Sequence, residues 1–241
     1  MAEPPDGPAP GVRARVREEL TQRIVATARR HLATDGAAGL SLRAVARELG
    51  MASSAVYRYV SSRDELLTLL IVDAYDALGE AVERAEAKVP RGAYLDRYLA
   101  ICSSARRWAL RNPHEFGLIF GSPVPGYAAP EATVEPAGRV GRVLIGLLAD
   151  CVAAGVVAPA GPLAEAARRG IEPARTFFPD TIPDELVFAG IVVWTHLIGA
   201  VWVEVFGHTN NVVADQPTVR AAFYLQEMLL VGRRLGLVPP D

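Results

Sequence analysis

Side chains that donate hydrogen bonds to anions are concentrated between residues 41 and 63. This segment, SLRAVARELGMASSAVYRYVSSR, holds four arginines against one acidic residue, together with serines and tyrosines. Guanidinium groups bind guanine edges and phosphates, and hydroxyl groups donate to the same kinds of oxygen atom. The chemistry that these residues predict is recognition of an anion such as a nucleic acid.

Motifs for catalysis are missing from the sequence. Neither a phosphate-binding glycine loop nor H-E-x-x-H, G-x-S-x-G or C-x-x-C occurs. The four histidines have no carboxylate or cysteine at a metal-ligand spacing. We therefore expect no enzyme activity, no catalytic residue, no metal site and no cofactor. Cys102 and Cys151 lie in apolar stretches, which predicts buried free thiols in a reducing cytoplasm.

The charge of the chain is unevenly distributed, although its net value is only −2. Residues 11–63 hold ten arginines and four acidic residues, so the net charge of this segment is +6 and that of the remaining residues is −8. A basic N-terminal part predicts that this end contacts an anion. The first residues, MAEPPDGPAPG, lack the basic and apolar regions of a signal peptide, and we predict a disordered tail over 1–12.

The basic part is predicted to contain two short helices that are joined by a glycine turn. Apolar spacing predicts a preceding helix over 13–33, which the DGAAG segment ends. Ser41 is expected to cap the next helix, which Gly50 ends, and Ser53 to cap the one after it, at 54–59. In such a helix-turn-helix, the first helix braces across a DNA duplex and the second presents its N-terminal side chains to the major groove.

The remainder of the chain is also predicted to be helical. The capping box Ser62-Arg-Asp-Glu65 begins a long helix that runs to about residue 88. Further helices are expected over 93–111, 113–120, 134–154, 184–207 and 216–236. The Gly/Pro-rich segment 155–182 is expected to hold no more than an irregular turn near 163–169. The expected fold is all-α, with a three-helix head at 13–62, a connecting helix at 63–88 and a helical body at 89–241.

Residues 41–67, SLRAVARELGMASSAVYRYVSSRDELL, resemble the head of the tetracycline-repressor (TetR) family. The Ser-x-Arg start, the ARELG turn, the Tyr-x-Tyr end and the capped long helix carry the likeness, which covers roughly residues 13–88. Two segments of the body, RRWALRNPHEFGLIF (106–120) and Trp194-Thr-His196-Leu-Ile-Gly199, are similar to the Trp-His-Gly (WHG) branch of that family. The resemblance implies an all-helical homodimer with nine or ten helices per subunit that binds double-stranded DNA and regulates transcription.

The resemblance and the helix geometry together assign side chains to the DNA. Arg43 falls where the family uses an arginine on a guanine edge, a contact that discriminates bases by about 1–3 kcal/mol. Small residues at the start of the second short helix are expected to face bases: Ser53, Ser54 and Ala55. Phosphate contacts are expected from four residues: Ser41, Tyr57, Tyr59 and Arg63. Tyr59 stands where the family's pattern has histidine. The alternatives are that Tyr57 packs its ring on the core and that Ser41 is only an N-cap.

The body is expected to hold a small, mostly apolar molecule among its aromatic side chains. Six residues are candidates for the pocket: Trp108, Phe116, Phe120, Trp194, His196 and Trp202. The loop GSPVPGYAAP (121–130) could gate access, and for His196 the alternative is a hydrogen-bonded core residue. We therefore expect a cytoplasmic repressor that such a ligand releases from a palindromic operator. The alternative is a regulator or activator that binds DNA without a ligand.

The run LVFAGIVVWTHLIGAVWV (186–203) is long enough to cross a membrane. Only Thr195 and His196 are polar within it, but no aromatic and basic residues flank it as membrane anchors. A helix that is apolar all round also suits the centre of a bundle, where its own subunit and a partner cover it. A membrane-associated helical protein is therefore the more distant alternative, and we expect no membrane contact.

Overall fold

The computed structural model describes residues 11–157 and 161–237, and these residues form eleven α-helices without a β-strand. In chain order the helices are α1 (Val12–Gly39), α2 (Leu42–Glu48), α3 (Ser53–Val56), α4 (Arg63–Glu86), α5 (Tyr94–Arg111), α6 (Pro113–Phe120), α7 (Val134–Ala137), α8 (Arg139–Ala153), α9 (Glu165–Arg175), α10 (Asp184–Val205) and α11 (Pro217–Gly232). Two 3₁₀ turns occupy Glu131–Thr133 and Arg233–Leu235. The all-α prediction is confirmed. Residues 1–10 of the predicted tail lie outside the described residues.

Two separate apolar cores organise the helices. The head core is formed by buried residues of α1 to α4 and their connections: Ile24, Val25, Ala28, Leu40, Leu42, Val45, Ala46, Val56, Val60, Leu66, Leu67 and Leu70. The larger body core draws on α5, α8, α10 and α11, and it contains Cys102 and Cys151, both free and buried as predicted. Helix α4 belongs to both cores, because Leu70 packs in the head and Val82 in the body.

Helix α4 begins with the predicted capping box. Ser62 Oγ accepts a hydrogen bond from the Glu65 N–H at 3.0 Å. The Glu65 carboxylate accepts hydrogen bonds from the Ser61 hydroxyl and N–H, both at 2.6 Å, and these bonds lower the pKa of Glu65. The return bond of the box thus goes to the residue before the N-cap instead of to the N-cap itself.

Two helix ends in the head differ from the prediction. Gly36, with φ +68°, breaks α1 within the DGAAG segment, but helix resumes as far as Gly39. Helix α3 begins at Ser53, its N-cap is Ala52, and no side-chain hydrogen bond caps it. The prediction that Ser53 caps this helix is therefore wrong. Helix α3 ends at Val56, and hydrogen-bonded turns continue the chain to Val60.

The body holds one helix that was not predicted. Helix α9 occupies part of the stretch in which only an irregular turn was expected. Gly170 and Pro173 lower helix propensity there. Burial of Ile171 and an ion pair of 2.5 Å between Arg168 and Asp184 of α10 offset that cost.

The helix that was predicted over 134–154 is divided in two. Gly138 separates α7 from α8, and a Cβ at this position would lie 2.7 Å from Nη1 of Arg142 on α8. This division and the additional α9 account for eleven helices in the described part of the chain instead of nine or ten.

Two arginine clusters fasten α8 to α4. At the start of α8, Arg139 donates to two carboxylates of α4 at 2.7 and 2.6 Å: Asp76 and Glu83. Near the end of α8, the guanidinium of Arg97 on α5 lies between Asp150 of α8, at 2.8 Å, and Glu86 of α4, at 2.6 Å. Arg97 is only 1% exposed, and the two carboxylates compensate the cost of burying its positive charge. Helix α8 is therefore held to α4 near both of its ends.

Candidate nucleic-acid interface and body cavity

Helices α2 and α3 bury one side in the head core and expose the other. Leu42, Val45 and Val56 are buried in that core. Between the helices, Gly50 adopts φ +66°, a left-handed conformation that glycine takes without the steric cost of a Cβ. The exposed side of the two helices and the turn after them carries polar and basic side chains: Arg43, Arg47, Ser53, Ser54, Tyr57 and Arg58.

Three of the four predicted base contacts lie on this exposed side. Arg43, Ser53 and Ser54 are exposed, whereas Ala55 is half-buried. Within the described part of the chain, Arg43 takes part in no ion pair and no side-chain hydrogen bond. Its guanidinium is therefore available to another molecule.

The four predicted phosphate contacts occupy different environments. Ser41 is the N-cap of α2, and its Oγ accepts a long hydrogen bond of 3.5 Å from the N–H three residues later, which confirms its capping role. Tyr57 is 44% exposed, so its ring does not pack in the core. Tyr59 is half-buried against the head core. Arg63 donates to the Ala37 carbonyl at 2.9 Å and so ties the start of α4 to the end of α1.

Arg47 belongs to the exposed basic side, although the sequence-based assignments do not include it. It lies four residues after Arg43, on the same face of α2. No ion pair occupies its side chain among the residues that the structure describes. The i, i+4 spacing of the two arginines is the pattern that could have identified it.

Internal ion pairs neutralise other arginines of the head. Arg29 pairs with Asp73 at 2.7 Å, and Arg30 pairs with Glu48 at 2.6 Å. Hydrogen bonds from Arg30 and then from His31 lower the pKa of Glu48, so this acid of α2 stays ionised and directed at α1. The exposed positive charge around α2 and α3 therefore comes from three residues: Arg43, Arg47 and Arg58.

A cavity of about 620 Å³ lies in the body. Small and aliphatic residues of α8 and α10 form a large part of its wall, among them Gly141, Leu144, Leu148, Gly190, Ile191 and Val193. Its charged border residues are Glu131, Glu135 and Arg142, all exposed. The cavity is thus apolar inside and charged only where it meets solvent.

Only Trp194 of the six predicted pocket residues borders this cavity. The ring of Phe120 packs against Trp194, with 6.2 Å between their centroids, and Phe116 packs against Phe120. Trp202 belongs to the same aromatic group through Phe206, which packs against both Trp202 and Phe116. Trp108 is buried in the body core. No pattern in the sequence marks the cavity, because its wall is built from residues that look like ordinary core.

His196 lies apart from the cavity, on the side of α10 that faces α11. Its Nε2 is 3.0 Å from Glu227 Oε1, an ion-pair distance without hydrogen-bond geometry. Both residues border a separate surface depression together with Arg234 and Leu230. Ligand contact by His196 therefore has no support from the position of the main cavity.

Comparison with known proteins identifies the head and the body separately. Residues 24–70 match bacterial regulatory proteins of the tetR family, and residues 98–226, more than half of the chain, match the tetracyclin repressor-like C-terminal domain. The chain belongs to the TetR family. The resemblance predicted from residues 41–67 is thereby confirmed, whereas the assignment to the WHG branch stays a prediction.

Whole-length relatives lead to the same conclusion. HTH-type transcriptional regulators of Mycobacterium tuberculosis and Mycobacterium bovis are 43% identical over 233 residues, which cover 92% of this chain and 95% of theirs. The crystal structure of the regulatory protein SCO4313 has a TM-score of 0.73 and 28% identity, over 90% of this chain and 97% of that chain. A tetR-family regulatory protein from Rhodococcus RHA1 has the same fold, with a TM-score of 0.60, 17% identity and coverage of 91% and 98%.

Membership of the TetR family makes the protein a DNA-binding transcriptional regulator, not an enzyme, as predicted. The residues that contact DNA stay predictions, and Tyr57 offers a clean test of one of them. We expect Tyr57→Phe to weaken binding to all duplexes by a similar factor of about two to ten, because a phosphate contact carries no base information. Affinities for an operator selected from random DNA and for an unrelated duplex measure this effect.

Two features of the experiment make the Tyr57 result specific. The substitution removes an oxygen from an exposed ring, so thermal stability should not change. Tyr94→Phe, in α5 of the body, is the matched control and should leave DNA binding as in the wild type. A changed preference at one base pair, with equal affinity for unrelated DNA, would assign Tyr57 to base recognition instead.

Proposed function

We propose that the protein is a cytoplasmic homodimeric repressor that leaves a palindromic operator when an apolar small molecule binds in the cavity of the body. The observation that supports this most is the position of the cavity. Its main wall, α8, is fastened to α4, and α4 reaches into the head core. A ligand that shifts α8 therefore shifts the helices that contact DNA.

The size and lining of the cavity suit a small organic molecule. Its volume of about 620 Å³ lies within the range of about 300–1,000 Å³ that is usual for such sites. Phe177, which is 70% exposed, borders the cavity together with the exposed Glu135, so the cavity is accessible from solvent. An apolar ligand would gain from transfer out of water into this space.

A second connection runs from the cavity to the head. The Tyr127 hydroxyl lies 2.9 Å from Thr68 Oγ1 on α4, and Val124 packs against the head core. The same segment leads into α7, where Val134 borders the cavity. Residues 121–130, which were expected to gate a pocket, are not among the residues that line this cavity, but they join its wall to the head.

Release of DNA requires a difference in ligand affinity between two arrangements. A ligand that binds both arrangements equally shifts nothing, however tightly it binds. We infer that the ligand favours an arrangement in which α8 and α4 have moved and the two recognition helices no longer match successive major grooves. The ion pairs of Arg139 and Arg97 transmit this movement.

The homodimer is needed because two recognition helices must reach successive major grooves about 34–36 Å apart. The surface of α10 and α11 supports it, since large apolar side chains there are 37–55% exposed: Phe188, Val219, Phe223, Leu225 and Leu230. Several large exposed apolar side chains on two helices favour an interaction site there. A second copy packed on α10 and α11 would form a four-helix bundle.

Helix α10 is also the one described helix that is long and apolar enough to cross a membrane, with a mean hydropathy of 2.1. A third of that apolar stretch is buried inside the subunit, and Val193, Leu197 and Val201 belong to the body core. A dimer partner on the remaining face accounts for the apolar composition of the helix without a membrane.

A substitution that fills the cavity tests the proposal. The position of Gly141, on the cavity-facing side of α8, has no atom within 4 Å of an added Cβ, so Gly141→Phe should occupy the space without displacing the wall. We expect this variant to bind the operator as the wild type does and to lose release by compounds found in a thermal-shift screen. Fluorescence anisotropy of a labelled operator measures both properties.

Gly146→Phe is the matched control for this experiment. It lies on the same helix, is exposed, has equally open space for a Cβ and does not border the cavity. Release that survives in Gly146→Phe and is lost in Gly141→Phe places the effector in the cavity. Equal release in both variants, or no compound that releases the wild type, would contradict the proposed function.

A further inference from the structure

Helix α1 begins well before the residues that hold it in the head core. Its first buried residue among those described is Ile24, and the residues from Ala14 to Glu19 are all exposed. The match to the tetR-family head likewise starts at residue 24. The N-terminal extension of α1, Val12–Arg23, therefore adds about three turns of helix before the packed part of the head. It holds four arginines and two glutamates, so its net charge is +2.

One arginine of this extension lies beside the predicted DNA-binding side of the head. The guanidinium carbon of Arg17 is 5.8 Å from the centroid of the Tyr59 ring, a distance at which a cation is attracted to the face of an aromatic ring. Two hydrogen bonds from Ser61 lower the pKa of Glu65, and the positive charge of Arg17 adds to this effect. Arg17 is thus located between the end of α3 and the beginning of α4.

No ion pair neutralises the guanidinium of Arg17. Its side chain is exposed, and no carboxylate lies within ion-pair distance of it in the part of the chain that the structure describes. The nearby carboxylate of Glu65 already accepts two hydrogen bonds of 2.6 Å from Ser61. Glu18 and Glu19 follow Arg17 directly, but they point about 100° and 160° away from it around the helix. Arg17 therefore adds an available positive charge next to α3.

Double-stranded DNA is the partner that suits this position. The protein is a DNA-binding regulator of the TetR family, and the residues at the N-terminal end of a recognition helix face the bases. Arg17 lies at the opposite end of α3, beside Tyr59, whose hydroxyl is one of the predicted phosphate contacts. Guanidinium groups donate to phosphate oxygens as hydroxyl groups do, and such contacts set the position of a protein on the duplex.

We propose that the N-terminal extension of α1 is a second DNA-binding element, in which Arg17 donates to a phosphate beside the one that Tyr59 contacts. The contact carries no base information, so it adds affinity for DNA of any sequence. It extends the DNA-binding surface of the head from α2 and α3 to α1. The inference concerns DNA alone and does not depend on the cavity, on an effector or on release.

Arg17→Gln tests the inference in the full-length protein, with Arg17→Lys as the conservative variant. We expect Arg17→Gln to weaken binding to the selected operator and to an unrelated duplex by a similar factor of about three to ten. The slope of log affinity against log salt should fall by about one, because one phosphate charge is no longer neutralised. Arg17→Lys should keep the slope of the wild type, because it keeps the charge. Fluorescence anisotropy titrations at several salt concentrations measure both quantities.

Arg169→Gln is the matched control. It removes the same charge from an exposed position of α9 in the body, so the net charge of the protein changes equally. Its affinity for both duplexes and its salt slope should equal those of the wild type. The melting temperature of Arg17→Gln should also equal that of the wild type, because the side chain is exposed and makes no hydrogen bond in the described structure.

A role of Arg17 that is limited to holding the Tyr59 ring predicts a different result. Tyr59→Phe keeps the ring and removes only the uncharged hydroxyl, so it should leave the salt slope unchanged. If Arg17 contacts phosphate itself, Arg17→Gln should lower the slope by about one in the Tyr59→Phe protein as well. Hydroxyl-radical footprinting should then show one protected backbone position per half-site that the wild type has and Arg17→Gln lacks.

Two results would overturn the inference. The first is an affinity and a salt slope that are equal in the wild type and in Arg17→Gln. The second is an effect of Arg17→Gln that disappears in the Tyr59→Phe protein, which would make Arg17 a positioning residue without a DNA contact. The proposed function is decided separately, by the effect of Gly141→Phe on release of the operator.

Discussion

Arg43→Ala is expected to weaken binding to the selected operator by about 1–3 kcal/mol and to relax the preference at one base position in each half-site. The side chain lies on the exposed side of α2 without an internal partner in the described structure, so its removal should leave the fold intact. The loss therefore reports on DNA alone. A bidentate contact between the guanidinium and the O6 and N7 atoms of guanine is the physical reason for the selective effect.

Arg47→Ala separates base recognition from general attraction to DNA. Arg47 lies on the same face of α2 and is also exposed. If it contacts phosphate, its loss should weaken all duplexes alike and reduce the slope of log affinity against log salt by about one. Anisotropy titrations with the operator, with single-base variants and at several salt concentrations distinguish the two outcomes. Operator affinity that is equal in the wild type and in Arg43→Ala would refute the assignment of Arg43.

The head could be predicted well because short stretches of sequence determine where its helices begin and end. Ser41, Gly50 and Ser62 mark helix starts and a turn through their own backbone and side-chain hydrogen bonds. The prediction failed at Ser53, where the residue type suits an N-cap but the helix begins one residue earlier in register. Capping preference alone does not fix the boundary when adjacent serines and an alanine compete for it.

The body could be predicted less completely because its key features depend on packing. The stability of α9 depends on Ile171 and on ion pairs with α10, which offset the unfavourable Gly170 and Pro173. Local propensity shows only the unfavourable part. The cavity is even harder to predict from the sequence, because the space between helices depends on how the helices pack. Aromatic content pointed to Phe116 and Trp202, whereas glycines such as Gly141 leave the actual space.

Arg63 combines a position that suits a phosphate contact with a hydrogen bond inside the fold. Its position at the start of α4 suits a phosphate, and it is half-buried with a donor engaged by the Ala37 carbonyl. Loss of its side chain would therefore disturb the junction of α1 and α4 as well as any DNA contact. For this reason the exposed Tyr57 and Arg47 are better sites at which to measure phosphate binding.

If the protein is the proposed dimer, Gly199→Glu is expected to convert it into a monomer that no longer holds the operator. Gly199 lies on the exposed side of α10, and an added Cβ there would meet no atom within 4 Å. The subunit should therefore accept the side chain without loss of helical content or melting temperature of the monomer. Any large effect must come from a partner, because a carboxylate buried in an apolar interface without a cation is strongly unfavourable.

Gly146→Glu is the control for the Gly199 experiment, since it adds the same charge at an exposed and open position of α8, which is not one of the two proposed interface helices. Light scattering should give the mass of two 25.8 kDa chains for the wild type and for this control, and of one chain for Gly199→Glu. A wild type that is monomeric at micromolar concentration would refute the dimer itself. A dimer that persists in Gly199→Glu would move the interface elsewhere and leave the exposed Phe223 and Leu230 without a partner. Loss of operator binding together with loss of the dimer is expected because a single head reaches only one of the two major grooves.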